Sequence, residues 1–209
     1  MVAVIAIAGG AFAVLSGGGG DSGPEFEAST SVDLTAGEVQ VVGLRLEPIE
    51  LPAEVRDQML STIGTYVDGG VVKALRTGKA DDAELAPIFD AAATAQLAGA
   101  ARTIVYDEGL PKAVGKIAIS TPPVAFTGLA DAEGAIVLVS TNLDLKITAR
   151  AAKGTVTVQR TGSFVFAPDP TGVWKITGWT FAVTRGGTAL PTTTTAPADP
   201  TASSTPAGP

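Results

Sequence analysis

An α+β fold, with helices first and a meander of antiparallel strands after them, is what this 209-residue chain predicts. Apolar residues recur at three- and four-residue steps between Pro52 and Thr77, the repeat of one helix face. After Gly115 the period changes to two, with β-branched enrichment, and stays there to Thr184. Elements segregated in this way put helices against one face of a curved antiparallel sheet of about four to six strands.

Ser29–Leu46 alternates loosely through Val32, Leu34, Val39, Val41, Leu44 and Leu46, as a short strand pair or an extended lead-in. Pro48 and Pro52 announce the first helix, because proline costs nothing in a first turn. Val55, Met59, Ile63, Tyr66, Val67, Val71, Ala74 and Leu75 form its buried stripe, and Gly78 stops it. Gly64, Gly69 and Gly70 weaken that helix or mark close packing against another backbone. Asp81 and Glu84 have the spacing of a capping box for a second helix, which buries Leu85, Ile88 and Phe89. Asp90 caps a third over Ala91–Val105, with Leu97, Ala98, Ala101, Ile104 and Val105 turned inward and Gly109 and Pro111 ending it.

The strand block opens with Ile117 and Ile119, bends at Pro122-Pro123, and resumes with Val124 and Phe126. Asp131-Ala132-Glu133-Gly134 is a hairpin loop, after which Val137, Val139, Leu143, Leu145 and Ile147 alternate with polar residues. Lys153-Gly154 turns the chain again. Val156, Val158, Phe164 and Phe166 then share one face, and Thr155, Thr157, Gln159 and Thr161 the other. A turn over Pro168–Gly172 leads to the last strand, Val173–Thr184, where alternation sets Trp174 and Ile176 opposite Trp179, Phe181 and Val183.

The ends differ from this body. Met1–Leu15 is apolar and uncharged, short of the roughly 20 residues of a membrane span and closer to the apolar region of a signal peptide. With no basic stretch before it, the segment 1–16 is expected to be a truncated signal or anchor sequence, with Ala11-Phe12-Ala13 as a weak cleavage site. Residues 17–30 read as a Gly-rich linker; Gly17–Gly20 lacks the Lys-Ser/Thr ending of a phosphate loop. The domain is expected over 31–187. Residues 188–209, rich in Thr, Pro and Ala, read as a disordered tail, either solvated or an O-glycosylated, wall-threading stalk. Such ends suit an extracytoplasmic protein, membrane-anchored or secreted, touching the membrane only through its N-terminal segment.

No histidine and no cysteine occurs in the chain. That removes the commonest general acid/base, metal ligand and thiol nucleophile together, so neither a cofactor nor a metal is expected. A formal charge of −7 with scattered lysines and arginines disfavours nucleic acid and anionic lipid as partners.

The closing hairpin TVTVQRTGSFVFAPDPTGVWKITGWTFAVTR, with its Gly-x-Phe strand, Trp-Lys-Ile and final aromatic strand, follows a long helix and short helices. In this order of elements Glu47–Arg185 resembles the NTF2-like (cystatin-like) cone, and more narrowly the actinobacterial extracytoplasmic domains grouped with Mce-associated proteins. The truncated anchor and the Thr/Pro tail are not part of that family's pattern. The resemblance implies N-terminal helices packed in a curved sheet and a non-catalytic accessory role in the cell envelope. Enzymes of the superfamily, isomerases and dehydratases, place a carboxylate or histidine and a tyrosine in the mouth of the cone. Here only Tyr66, Tyr106, Asp90, Asp107 and Asp144 could form a carboxylate–phenol pair. None matches an enzyme motif, so no catalytic residue is assigned.

Tyr66 reads as a core aromatic with its hydroxyl at the rim, and Asp107-Glu108 as a solvated helix end. Arg160 falls on the apolar face of its strand, where an unpaired guanidinium is costly. Either a bulge at Gly162 turns it outward, or it sits at the cone mouth, paired with a carboxylate such as Asp144 or holding an anionic ligand. Tyr66, Arg160 and Asp144 are therefore the ligand-pocket candidates. Trp174 and Trp179, expected on opposite faces, are the interaction candidates. The leading expectation is an envelope domain that binds a protein partner, or a second copy of itself, through its sheet face. The alternatives are a carrier of an apolar or anionic small molecule in the cone cavity, and an isomerase- or dehydratase-like enzyme.

Overall fold

The computed structural model describes residues 32–43 and 48–190; the expected anchor and linker and nearly all of the expected tail lie outside them. The described chain is α+β, with six strands in one curved, unclosed sheet and the helices against one face. The strands are β1 (Ala36–Val42), β2 (Ala113–Ser120), β3 (Val124–Ala130), β4 (Ile136–Ala151), β5 (Gly154–Pro168) and β6 (Trp174–Gly186). Their order is β1-β3-β4-β5-β6, and β2 pairs with the far half of β4. The bend at Pro122-Pro123 thus splits one edge into two strands that share β4 as partner. The pairing is not wholly antiparallel as expected: β1 runs parallel to β3, because the whole helical block separates them in the chain.

Helix α1 (Ala53–Tyr66) passes through a π-helical turn, Val67–Val72, into α2 (Lys73–Thr77). The expected stripe is buried from Met59 to Leu75, with Val55 half-buried at its start. The wide turn falls on Gly69 and Gly70, whose carbonyls accept from the backbone N–H of Asp81 (3.1 Å) and Asp107 (3.3 Å). Close packing there is against side chains: a Cβ on Gly70 would stand 3.0 Å from the Tyr106 ring. Gly78 ends the helix in the left-handed conformation, φ 91°, its N–H on the Ala74 carbonyl at 2.8 Å.

Asp81 caps α3 (Asp82–Leu85), accepting from Ala83 and Glu84 N–H. Its own N–H is taken by Gly69, so Glu84 does not complete the box. Asp90 caps α4 (Ala91–Leu97), its carboxylate 2.6 Å from the Ala93 nitrogen. The expected third helix stops there and resumes only as α5 (Arg102–Val105). That break leaves Ala98 and Ile104 exposed rather than inward, while Leu97 and Val105 stay buried.

Register shifts interrupt four of the strand pairs, and the one between β5 and β6 redirects side chains of the last strand. Val165 pairs with Gly178 but Phe166 pairs with Ile176, so Thr177 is an extra residue that resets the alternation of β6. Trp174, Ile176, Trp179, Phe181 and Val183 consequently all join the core on the helix-facing side. The expectation of tryptophans on opposite faces fails at that bulge. The described chain closes with Ala189 N–H on the Thr155 carbonyl at 2.9 Å.

Candidate functional site

Arg160 points inward and is fully buried. Gly162 makes no bulge: β5 keeps unbroken register with β4 and β6 through Thr161 and Gly162. The outward turn therefore fails, and of the other alternative the pairing with a carboxylate holds while the place at an open mouth does not. Its partner is Asp107, which is itself fully buried and not at the solvated helix end that the sequence predicts. Arg160 Nη2 donates to the carboxylate at 3.1 Å, and Arg185 on β6 donates to Oδ1 of the same group from Nη2 at 3.1 Å and Nε at 3.3 Å. Arg185 Nη2 also reaches the Thr103 carbonyl at 2.7 Å and the Tyr106 carbonyl at 3.2 Å. Asp144, by contrast, lies on the outer face, where it accepts from Thr161 at 3.3 Å and never meets Arg160.

Two guanidiniums and one carboxylate leave this cluster with a net positive charge. Aromatic faces offset part of it: the Arg160 guanidinium carbon lies 5.8 Å from the ring centres of both Tyr66 and Phe181. Arg160 Nε and Nη1 have no hydrogen-bond partner. Tyr66 is buried to its tip and donates to the Val105 carbonyl at 2.6 Å, so its hydroxyl does not reach a rim. Burial raises that phenol far above its usual value, and it stays protonated. No surface of Tyr66, Asp107 or Arg160 meets solvent, so none touches a diffusing substrate in this structure. The cluster works instead as a brace, tying the segment after α5 to β5 and β6.

A second network lies at the surface. Arg102 clamps Asp82 (2.9 and 3.2 Å) and Glu108 (2.7 and 2.6 Å) while stacking 5.0 Å from the Tyr106 ring centre. The guanidinium holds the Glu108 carboxyl below its ordinary range, and burial pushes Tyr106 up to about 12. Beside it runs a cleft of ≈ 260 Å³ with apolar walls from Leu85, Phe89 and Leu97, reached by Tyr106 and Asp82. A notch of similar size, ≈ 260 Å³, opens where α1 begins, between Ile49–Val55, Ile136 and Trp174. On the outer face, Asp144 lines a hollow of ≈ 420 Å³ with Asn142, Thr161, Ser163 and the Pro122-Pro123 bend.

The described residues contain no group of three or more acidic side chains placed to hold a metal ion, and none of their helices is long and apolar enough to cross a membrane. No protein-family model, curated protein or solved structure matches the chain. Of the candidates read from the sequence, Tyr66 and Arg160 come together, Asp144 stands apart, and Trp174 and Trp179 pack inside. Sequence reasoning misses Arg185, and it names Asp107 only as a possible acid of a carboxylate–phenol pair at a solvated helix end, not as the partner of Arg160. Inward parity at Arg160 signalled a demand for a buried carboxylate, but strand spacing alone does not say which of the chain's acids supplies it.

Proposed function

We propose that the chain is an exported or membrane-tethered accessory domain of the NTF2-like cone type, without a reaction of its own, acting by protein–protein contact in the cell envelope. The curved sheet around the 53–77 helix supports the cone assignment. One observation carries the functional reading: the ionisable groups of the interior are locked in a brace, while four of the six exposed large apolar side chains among the described residues gather at one end of the sheet. Val42, Leu129, Val137 and Val173 lie there, on the last residues of β1 and β3 and beside the first residues of β4 and β6. Val42 and Leu129 are register partners, and Leu129 in turn pairs with Leu138. Apolar surface shared by adjacent strands is the ordinary mark of a contact face. A photoreactive side chain placed at Leu129 or Val137 in the full chain, in its native envelope, is expected to give a discrete higher-mass adduct. The same probe at Gln159, on the polar middle of the outer face, is expected to give none. Adducts at neither end position would overturn the reading, and an adduct of twice the chain mass would make the partner a second copy.

A small-molecule role has its own support in the cleft beside Arg102. Its apolar walls, with Tyr106 and Asp82 among the lining residues, suit a small apolar ligand with one hydrogen-bonding group. Filling it by Ala98→Trp, at an exposed position, would abolish any such binding without unfolding the chain.

A further inference from the structure

The geometry points to the notch at the start of α1 as the docking point for an apolar side chain flanked by lysine or arginine on a partner protein. This rests on the interaction reading above and specifies the partner's chemistry. Ile49, Leu51, Pro52, Val55, Ile136 and Trp174 line the notch, with Trp174 nearly buried among them. Its volume of ≈ 260 Å³ accepts one large side chain and little more. The apolar surface continues outward, because exposed Val137 and Val173 each adjoin a lining residue in the chain.

The rim is acidic. Glu50 lines the notch, Glu54 sits on the first turn of α1 between the lining residues Pro52 and Val55, and Glu133 precedes the lining residue Gly134. All three are exposed, and no ion pair of the described residues engages any of them. Asp131 adds a fourth carboxylate, occupied at one oxygen by the Ala135 N–H at 2.8 Å. Among the described residues, Arg56 lines the adjoining cleft together with Glu50, Val39 and Val41, and no ion pair joins it to Glu50. Unpaired carboxylates around an apolar socket attract a cationic, apolar segment and repel an anionic lipid surface. The chain's charge of −7 acts in the same direction.

The test uses the full chain and three fluorescein-labelled peptides at low salt, read by anisotropy: alternating Lys/Leu, Glu/Leu and Lys/Gly. Saturable one-to-one binding is expected for Lys/Leu alone. The double variant E50K/E133K is expected to weaken it tenfold or more. D33K/D144K, an equal change of charge at exposed or outer-face positions away from the notch, should leave it within twofold. Equal weakening by both variants, or equal binding of the Lys/Gly peptide, would reduce the effect to bulk charge and overturn the proposal. Binding of Glu/Leu, or of phosphatidylcholine vesicles in place of peptide, would overturn it as well. If peptide binding is absent while Leu129 still gives adducts, the notch falls and the interaction reading stands; absence of both removes both.

Discussion

Asp107 holds two arginines at once, and that asymmetry sets what each substitution costs. Replacing Asp107 by Ala strands Arg160, fully buried, with no countercharge. Breaking a buried pair in that way costs about 3–5 kcal/mol. Arg160→Met leaves Asp107 paired with Arg185 and fills the space with apolar volume, so its loss should be distinctly smaller. Urea midpoints of the two variants check the order; equal losses would refute the brace. The phenols set the alkaline limit. Burial raises both Tyr66 and Tyr106 above the usual value of 10, Tyr106 to about 12. A group whose value is raised by folding contributes fully below pH 10 and loses that contribution as pH climbs toward the folded value. Stability should therefore fall between pH 10 and 12, and the fall should flatten in Tyr66→Phe. At neutral pH that variant loses its bond to Val105, a cost of about 1 kcal/mol.

At the scale of elements, two features of the closing hairpin carry most of the geometry. Gly162 lies on the inner face between Arg160 and Phe164, opposite Phe181. A Cβ there would stand on the Thr180 carbonyl oxygen and 2.8 Å from the Phe181 ring. Both are held by the sheet, so Gly162→Ala should cost about 3 kcal/mol, the upper end for overpacking. The loss should appear as a lower urea midpoint and faster amide exchange along β5 and β6. In the turn between these strands, the Asp169 carboxylate accepts from Thr171 N–H and hydroxyl and from Val173 N–H. Those bonds, the Thr171 hydroxyl foremost, lower its value from 3.8 to about 2. A lowered carboxyl gives its contribution above its unfolded value and loses it as pH falls through the folded one. The Thr171 and Val173 amide resonances should accordingly titrate near pH 2, and not near 4. The hairpin itself was legible from alternation and from Pro168–Gly172. The bulge at Thr177 was not, because one extra residue leaves both flanking stretches alternating while reversing their relation.

For the whole molecule, the bulge places both tryptophans in one core: Trp174 beside α1, and Trp179 edge-on to Phe89 at 5.9 Å. Tryptophan emission and far-ultraviolet circular dichroism should thus report a single, coincident unfolding transition in urea. An early emission change would mean that β6 leaves the sheet before the helices melt. The same packing explains why an interior that looked ligand-ready from its residue types is closed: Tyr66, Phe164 and Phe181 pack edge to face at 4.8 and 4.9 Å around Arg160.

Periodicity alone determined the helix of 53–77, its buried stripe, the caps at Asp81 and Asp90, and the strand meander, because each depends on residues within a few positions of one another. Tertiary structure alone decided the parallel docking of β1, the inward turn of Trp179, and the choice of Asp107 over Asp144 as the partner of Arg160. Those outcomes depend on which distant segments share the interior. A buried charge must be met by whichever countercharge the packed chain brings within reach, and sequence separation carries no record of that distance.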